Sequence, residues 1–214
     1  MNNCNVIIIG LNHHNTLGVI RALGEKGIFS SLILTAETKY SYVKKSKYLK
    51  KVVLVKEDSQ SILEALEKFK EKQQKSILIP TSDYAALVID DNLMKLKRDF
   101  IVPSINRIPK LVKKYMDKYI QHDLVNQYHI LQARSWNVKV VGFRSPKKLS
   151  FPCIVKPLVS ATGEKSDITI CKTKSVLENT LVLFKEKGYK NALIQEYINY
   201  DMECGLIGCC HNKR

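Results

Sequence analysis

Short apolar runs alternate with longer stretches in which apolar positions recur every three or four residues along the first hundred residues. NVIIIG (5–10), SLILTAE (31–37), VVLV (52–55) and SILIPTSD (76–83) each hold a strand's worth of consecutive hydrophobic residues. Between the first two, NTLGVIRALGEKG sets Leu17, Ile20 and Leu23 at helical spacing. SQSILEALEKFKEKQQK (59–75) repeats the pattern with Ile62, Leu63, Leu66 and Phe69, and with Ser59 or Ser61 as its cap. DYAALVIDDNLMKLKR then continues as helix. Apolar runs without polar alternation predict strands buried on both faces, and strands alternating with helices predict a parallel sheet covered on both sides. Residues 1–104 are therefore expected to form an open α/β domain.

The pattern changes after PSINRIPK (103–110), whose two prolines mark a linker. A helix is expected over MDKYIQHDLVNQYHI (116–130), then a turn near Ser135 and a strand-rich lobe made of NVKVVGF, FPCIVKP and DITICKT. SVLENTLVLFKEKGYK (175–190) reads as an amphipathic helix with Val176, Leu177, Leu181 and Phe184 facing inward. ALIQEYI follows as a final connector, and MECGLIGCC begins a new strand. Residues 105–214 thus form a second, α+β domain.

Composition narrows the function classes. A chain of 214 residues that is 45% hydrophobic can bury a real core, about 70% of its unfolded surface at this size. No run approaches the roughly 20 apolar residues of a membrane span, and MNNCNVIIIG lacks a basic region before its apolar run. A cytoplasmic protein with no membrane partner is expected. Cys4, Cys153, Cys171, Cys204, Cys209 and Cys210 fall mostly in apolar strand-like runs, as reduced thiols would. The tail Cys204, Cys209, Cys210, His211 offers metal-ligand residue types, but adjacent strand residues point to opposite faces and no C-x2-C pair is present, so no metal site is assigned. A formal charge of +15 would attract nucleic acid. The lysines are nevertheless spread over 44–51, 68–75, 110–118, 147–148 and 185–190 and interleaved with glutamates, as on a solvated surface. SYVKKSKYLKK (41–51) mixes tyrosine with lysine as a stacking groove does, yet runs straight into VVLV and reads as a basic loop entering a strand.

Two regions carry candidate chemistry. The first is the turn GLNHHNTLG, which lacks the G-x-G-x-x-G spacing of a dinucleotide site. At the carboxyl end of a strand, its His13 and His14 are either substrate contacts or solvated residues beside an Asn15 or Thr16 cap. Asp83, in the PTSD exit loop, is either a substrate-facing carboxylate or a helix cap. The second region is near the C-terminus, where Lys156 closes an apolar strand and precedes the small-residue loop SATGEKSD (160–167). Beyond it lies QEYINYDME, with Glu196 and Glu203 seven apart. A fixed positive charge suits a phosphate, a glycine lets backbone N–H groups approach the phosphate chain, and a carboxylate can accept ribose hydroxyls.

The order of lysine helix, lysine strand, small-residue loop and spaced glutamates resembles the ATP-grasp family, over nearly the whole chain. The resemblance implies a domain preceding the ATP-grasp module at 1–104, followed at 105–214 by an incomplete α+β ATP-grasp domain. It implies that Lys118 and Lys156 hold ATP phosphates and that the loop with Ser160 and Gly163 closes over them. Glu196 and Ile198 would meet adenine through backbone groups, and Glu203 would take the ribose. The implied activity is ATP-dependent ligation of a carboxylate to an amine through an acylphosphate, with a small carboxylate or amino acid as substrate. Within the family the chain looks closest to the carbamoyl-phosphate-synthase-like carboxylate-amine ligases, the D-aspartate ligase-like group among them. Magnesium belongs to such chemistry, with acidic ligands and an asparagine well after the ribose carboxylate. The eleven residues after Glu203 contain no Asp or Glu. The expectation is therefore a truncated or split ligase, inactive alone, that a separate chain completes. A noncatalytic nucleotide-binding or interaction protein is the alternative, and a basic nucleic-acid binder a third.

Overall fold

The computed structural model describes residues 5–35, 40–71, 73–158, 167–202 and 204. The chain divides into two compact units, residues 1–120 and 121–214.

The first unit is built on a five-stranded sheet in the order β3-β2-β1-β4-β5, every pair parallel. Its strands are β1 (Val6–Gly10), β2 (Ser30–Thr35), β3 (Leu49–Val55), β4 (Ser76–Pro80) and β5 (Phe100–Ile101). The connecting helices are α1 (His14–Gly24), α2 (Ser59–Glu67), α3 (Asp83–Asp91) and α4 (Leu93–Leu96), and α5 (Leu111–Tyr115) follows the last strand. Alternation along β1 shows why its run is wholly apolar. Val6 and Ile8 join a cluster with Ile20 of α1, while Ile7 and Ile9 join the cluster formed by Ile62 and Leu66 of α2 and Ile89 of α3. Both faces are covered, as the absence of polar alternation requires.

Element ends follow the side chains available to cap and bury them. The cap of α2 is Asp58, not a serine, and its carboxylate accepts from Ser61 N at 2.7 Å. The helix stops at Glu67 rather than running to residue 75, because after Phe69 the sequence offers no apolar residue to extend the buried stripe. The break between α3 and α4 falls at Asn92, whose Nδ2 donates to Val88 O at 2.8 Å. Asp90 is buried in α3 and accepts from Lys113 N at 2.9 Å, which fixes the start of α5.

The second unit carries a four-stranded antiparallel sheet in the order β6-β9-β7-β8. Its elements are β6 (Ser135–Lys139), β7 (Cys153–Lys156), β8 (Thr169–Cys171), α7 (Lys174–Glu186) and β9 (Asn191–Glu196), and the division between units falls inside α6 (Lys118–Gln127). ALIQE, expected as a connector, is thus an inner strand, paired on one side with β6 and on the other with β7. β6 starts at Ser135, where a turn was expected. Cys153, Val155, Ala192 and Ile194 pack against Leu177, Leu181 and Phe184 of α7. Val176, expected inward, is exposed, because the buried stripe runs 177, 180, 181, 184 and residue 176 lies about 100° off it. Cys153 and Cys171 stand opposite each other in β7 and β8, both buried and both free thiols.

Among the described residues, no helix is long and apolar enough to cross a membrane. The strand expected over MECGLIGCC lies almost wholly outside the described residues, as do Cys4, Cys209, Cys210 and His211.

Candidate functional site

Lys156 is the last residue of β7, and its face of the sheet is the one turned away from α7. Register pairs Ile154 with Gln195 and Lys156 with Leu193, so these four side chains share that face, with Ser135 of β6 opposite Gln195. A hydrogen-bonded row crosses three strands here. Lys156 Nζ donates to Gln195 Oε1 at 2.7 Å, and Gln195 Nε2 donates to Ser135 Oγ at 2.8 Å. Ser135 Oγ in turn donates to Ala133 O at 3.1 Å. The linked bonds hold the lysine ammonium on this face rather than leaving it to sweep through solvent.

Glu196 ends β9 and is tied to the residue that precedes β6. Arg134 Nε and Nη2 each donate to its carboxylate at 3.2 Å, and the Arg134 N–H adds a third contact at 3.3 Å. The Arg134 hydrogen bonds hold the Glu196 carboxyl below the usual range. The Glu196 N–H donates to Arg134 O at 2.8 Å. Ile198 is exposed two residues further on.

Ser160, Gly163 and Glu203 lie outside the described residues. The downstream end of the small-residue loop is described: Asp167 is buried, takes the ammonium of Lys187 and accepts from the Tyr189 hydroxyl at 2.7 Å. That aspartate anchors the loop's exit to the segment following α7.

In the first unit, Asp117 explains the Asp-Lys pair of the sequence. Its Oδ1 accepts from Tyr119 N at 2.8 Å and Ile120 N at 3.1 Å, which caps α6 and makes Lys118 the first helical residue. Desolvation lowers the Lys118 pKa, and the charges of Asp83 and Asp117 partly offset it. Two candidates reached separately from sequence, Lys118 and Asp83, therefore share one electrostatic neighbourhood. The cap of α3 is Ser82, whose Oγ accepts from Ala85 N at 3.2 Å, so Asp83 sits in the first turn with its side chain exposed.

At the carboxyl end of β1, His13 itself caps α1, its Nδ1 accepting from Asn15 N at 3.4 Å, and its ring lies 3.8 Å from that of His14. Both histidines are exposed. Thr16 does not cap the helix; it is buried and bonds Thr81 Oγ1 at 2.8 Å. Gly10 is required where the two threonines close in, since a Cβ there would lie 1.8 Å from Thr81 Oγ1.

The residues that sequence reasoning missed are Arg134, Ser135 and Gln195. Two were read only as a turn and the third as part of a connector. Their signal is the register of β6 on β9, which no local spacing reveals.

Fold comparison decides the architecture. L-amino acid ligase from Bacillus licheniformis superposes with a TM-score of 0.67 over 92% of this chain and 45% of its own, at 11% identity. D-alanine–D-alanine ligase from Bacillus anthracis, solved in complex with ATP, gives 0.56 over 92% and 59%, at 16% identity. The fold is that of ATP-grasp ligases. In sequence, the formate-dependent phosphoribosylglycinamide formyltransferase of Prochlorococcus marinus is 38% identical over 64 residues, 28% of this chain and 16% of that protein. No family model matches the chain. The chain spans about half the length of the ligase structures it matches.

Proposed function

We propose that the chain binds ATP and serves the ATP-dependent ligation of a small carboxylate, an amino acid among the candidates, to an amine. The observation that carries the reading is the row Lys156–Gln195–Ser135, which fixes a cation on the face of the second unit's sheet turned away from α7, on the strand next to the one that leads into Glu196 and Ile198. In this reading Lys156 and Lys118 bind phosphate oxygens, the loop with Ser160 and Gly163 closes over them, and the Glu196 carbonyl and Ile198 N–H meet adenine. Glu203 takes the ribose hydroxyls, while His13, His14 and Asp83 face the substrate. The carboxylate would attack the terminal phosphorus of ATP, ADP would leave, and an amine would displace phosphate from the resulting acylphosphate. Positioning and charge neutralisation supply most of the acceleration in such a transfer.

Magnesium belongs to this chemistry. Among the described residues no three His, Cys, Asp or Glu side chains gather to hold a metal ion, so they do not fit one and no step is routed through it. Ligases of this fold are about twice the length matched here. The complete reaction is therefore proposed for this chain together with the rest of that length, on the same polypeptide or a separate chain, and the carbamoyl-phosphate-synthase-like, D-aspartate ligase-like group is the proposed subgroup.

Calorimetric titration with ATP tests the reading. Lys156→Met and Lys118→Met are each expected to weaken binding by about tenfold or more, as loss of a charge-assisted hydrogen bond to phosphate does. Undetectable ATP binding by the wild-type chain, or affinity indifferent to both substitutions, overturns it. Phosphate release with a panel of amino acids then separates ligation from nucleotide binding alone.

A further inference from the structure

We propose that a cleft on the second unit, apart from the residues assigned to ATP, binds a small anion that carries an aromatic ring. The cleft encloses about 300 Å³ among the later turns of α6, the turn entering β6 and the loop at 147–148. That volume lies at the lower end of small-molecule sites, which run from roughly 300 to 1,000 Å³.

Its chemistry is one-sided. Among the described residues Arg134, Lys147 and Lys148 line it and no aspartate or glutamate does, the Glu196 carboxylate meeting Arg134 from outside the lining. Walls of one sign concentrate the field inside a concave surface and favour an anion. Glu196 engages Nε and Nη2 of Arg134, and a guanidinium has five N–H donors, so the Nη1 pair is not spent in that contact. Trp136 also lines the cleft; it is half-buried and packs against the core beneath α7. An aromatic residue in the same lining as three cationic ones suits a planar anion better than a bare ion. The wall opposite is braced by Gln132, whose Nε2 donates to His122 O at 2.8 Å and to Asn126 Oδ1 at 2.6 Å.

The cleft is distinct from the proposed nucleotide residues, since Lys118, Lys156, Glu196 and Ile198 do not line it. It adjoins them through Arg134, which lines the cleft and bonds the Glu196 carboxylate, and through Ser135, which accepts from Gln195.

Trp136 is the only tryptophan of the sequence, so its fluorescence reports this site alone. Phenyl phosphate, titrated at constant ionic strength, is expected to change the emission saturably with a Kd of millimolar order or tighter. Inorganic phosphate, which has no ring, should bind about tenfold more weakly. The Lys147→Ala/Lys148→Ala double variant should lose about tenfold or more in affinity, and because both side chains are exposed it should melt as the wild type does. Lys156→Met should leave phenyl phosphate binding unchanged while weakening ATP, so failure of either proposal is separable from failure of the other. No saturable change up to about 10 mM, an equal response to inorganic phosphate, or a response that survives the double substitution overturns the site.

Discussion

Lys156 donates from Nζ to Gln195 Oε1 at 2.7 Å, although the two residues lie on antiparallel neighbours and thirty-nine positions apart. The contact makes Gln195 a positioning residue for the lysine. Gln195→Met fills nearly the same space but offers the ammonium no amide oxygen and leaves Ser135 without its donor. ATP affinity is expected to fall about tenfold, the order of one hydrogen bond to a charged group, with Ser135→Ala giving a smaller loss in the same titration. An unchanged affinity in Gln195→Met would show that the row organises the sheet and not the lysine.

Acid should weaken the pairing of Glu196 with Arg134. Because the folded pKa of Glu196 is depressed, its contribution is fully present above the unfolded value of about 4.3 and disappears as pH falls through the folded one. Asp58 and Glu67 are depressed as well, so the readout is a difference between curves. Melting temperature followed from neutral to acid pH should drop more steeply in wild type than in Glu196→Gln, the two converging at the acid end. Parallel curves would remove the pair from the account.

Crowding at the carboxyl end of β1 sets a third expectation. In Gly10→Ala the new methyl group meets Thr81 Oγ1 at 1.8 Å and Thr16 Oγ1 at 2.8 Å, an overpacking that costs about 1–3 kcal/mol. Removing the hydroxyl in Gly10→Ala/Thr81→Ala should recover part of that loss, so the two substitutions will be non-additive in denaturant titrations. Simple additivity would mean that the strand end relaxes away from the threonine.

Burial raises the Cys153 thiol to about 11. At pH 8 its thiolate fraction is then lower by about two orders of magnitude than that of a free cysteine, before access is counted. Alkylation mapped residue by residue with mass spectrometry should find exposed Cys204 modified before Cys153 and Cys171. Cys153 and Cys171 should react only once denaturant opens the sheet. Modification of Cys153 at the pace of Cys204 under native conditions would contradict the packing described.

The parallel sheet of the first unit was legible because β1, β2 and β4 each hold a continuous apolar run, the mark that burial on both faces leaves, and the edge strand β3 shares the run VVLV although Leu54 is exposed. Helix caps were less so: Asp58 and His13 compete with neighbouring serines, asparagine and threonine that have equal capping chemistry, and the chain's entry angle decides among them. In the second unit, Lys156 stood out as a lysine ending a hydrophobic strand. Its partner Gln195 did not, since the contact exists only through the pairing of β7 with β9. Glu196 was noticed for its spacing from Glu203, while its immediate environment is set by Arg134, sixty-two residues upstream.

The order β6-β9-β7-β8 places the last of the sheet's described strands at an inner position. Until residues 191–196 emerge, β6 has no hydrogen-bonding neighbour, and only β7 and β8 can zip into a hairpin-like pair. The seam that joins the early strand to that pair closes over a separation of more than fifty residues, the kind of non-local event that slows folding. Gln195 and Glu196, which engage Lys156 and Arg134, are carried by that same late strand, so closing the seam and tethering both side chains are one event.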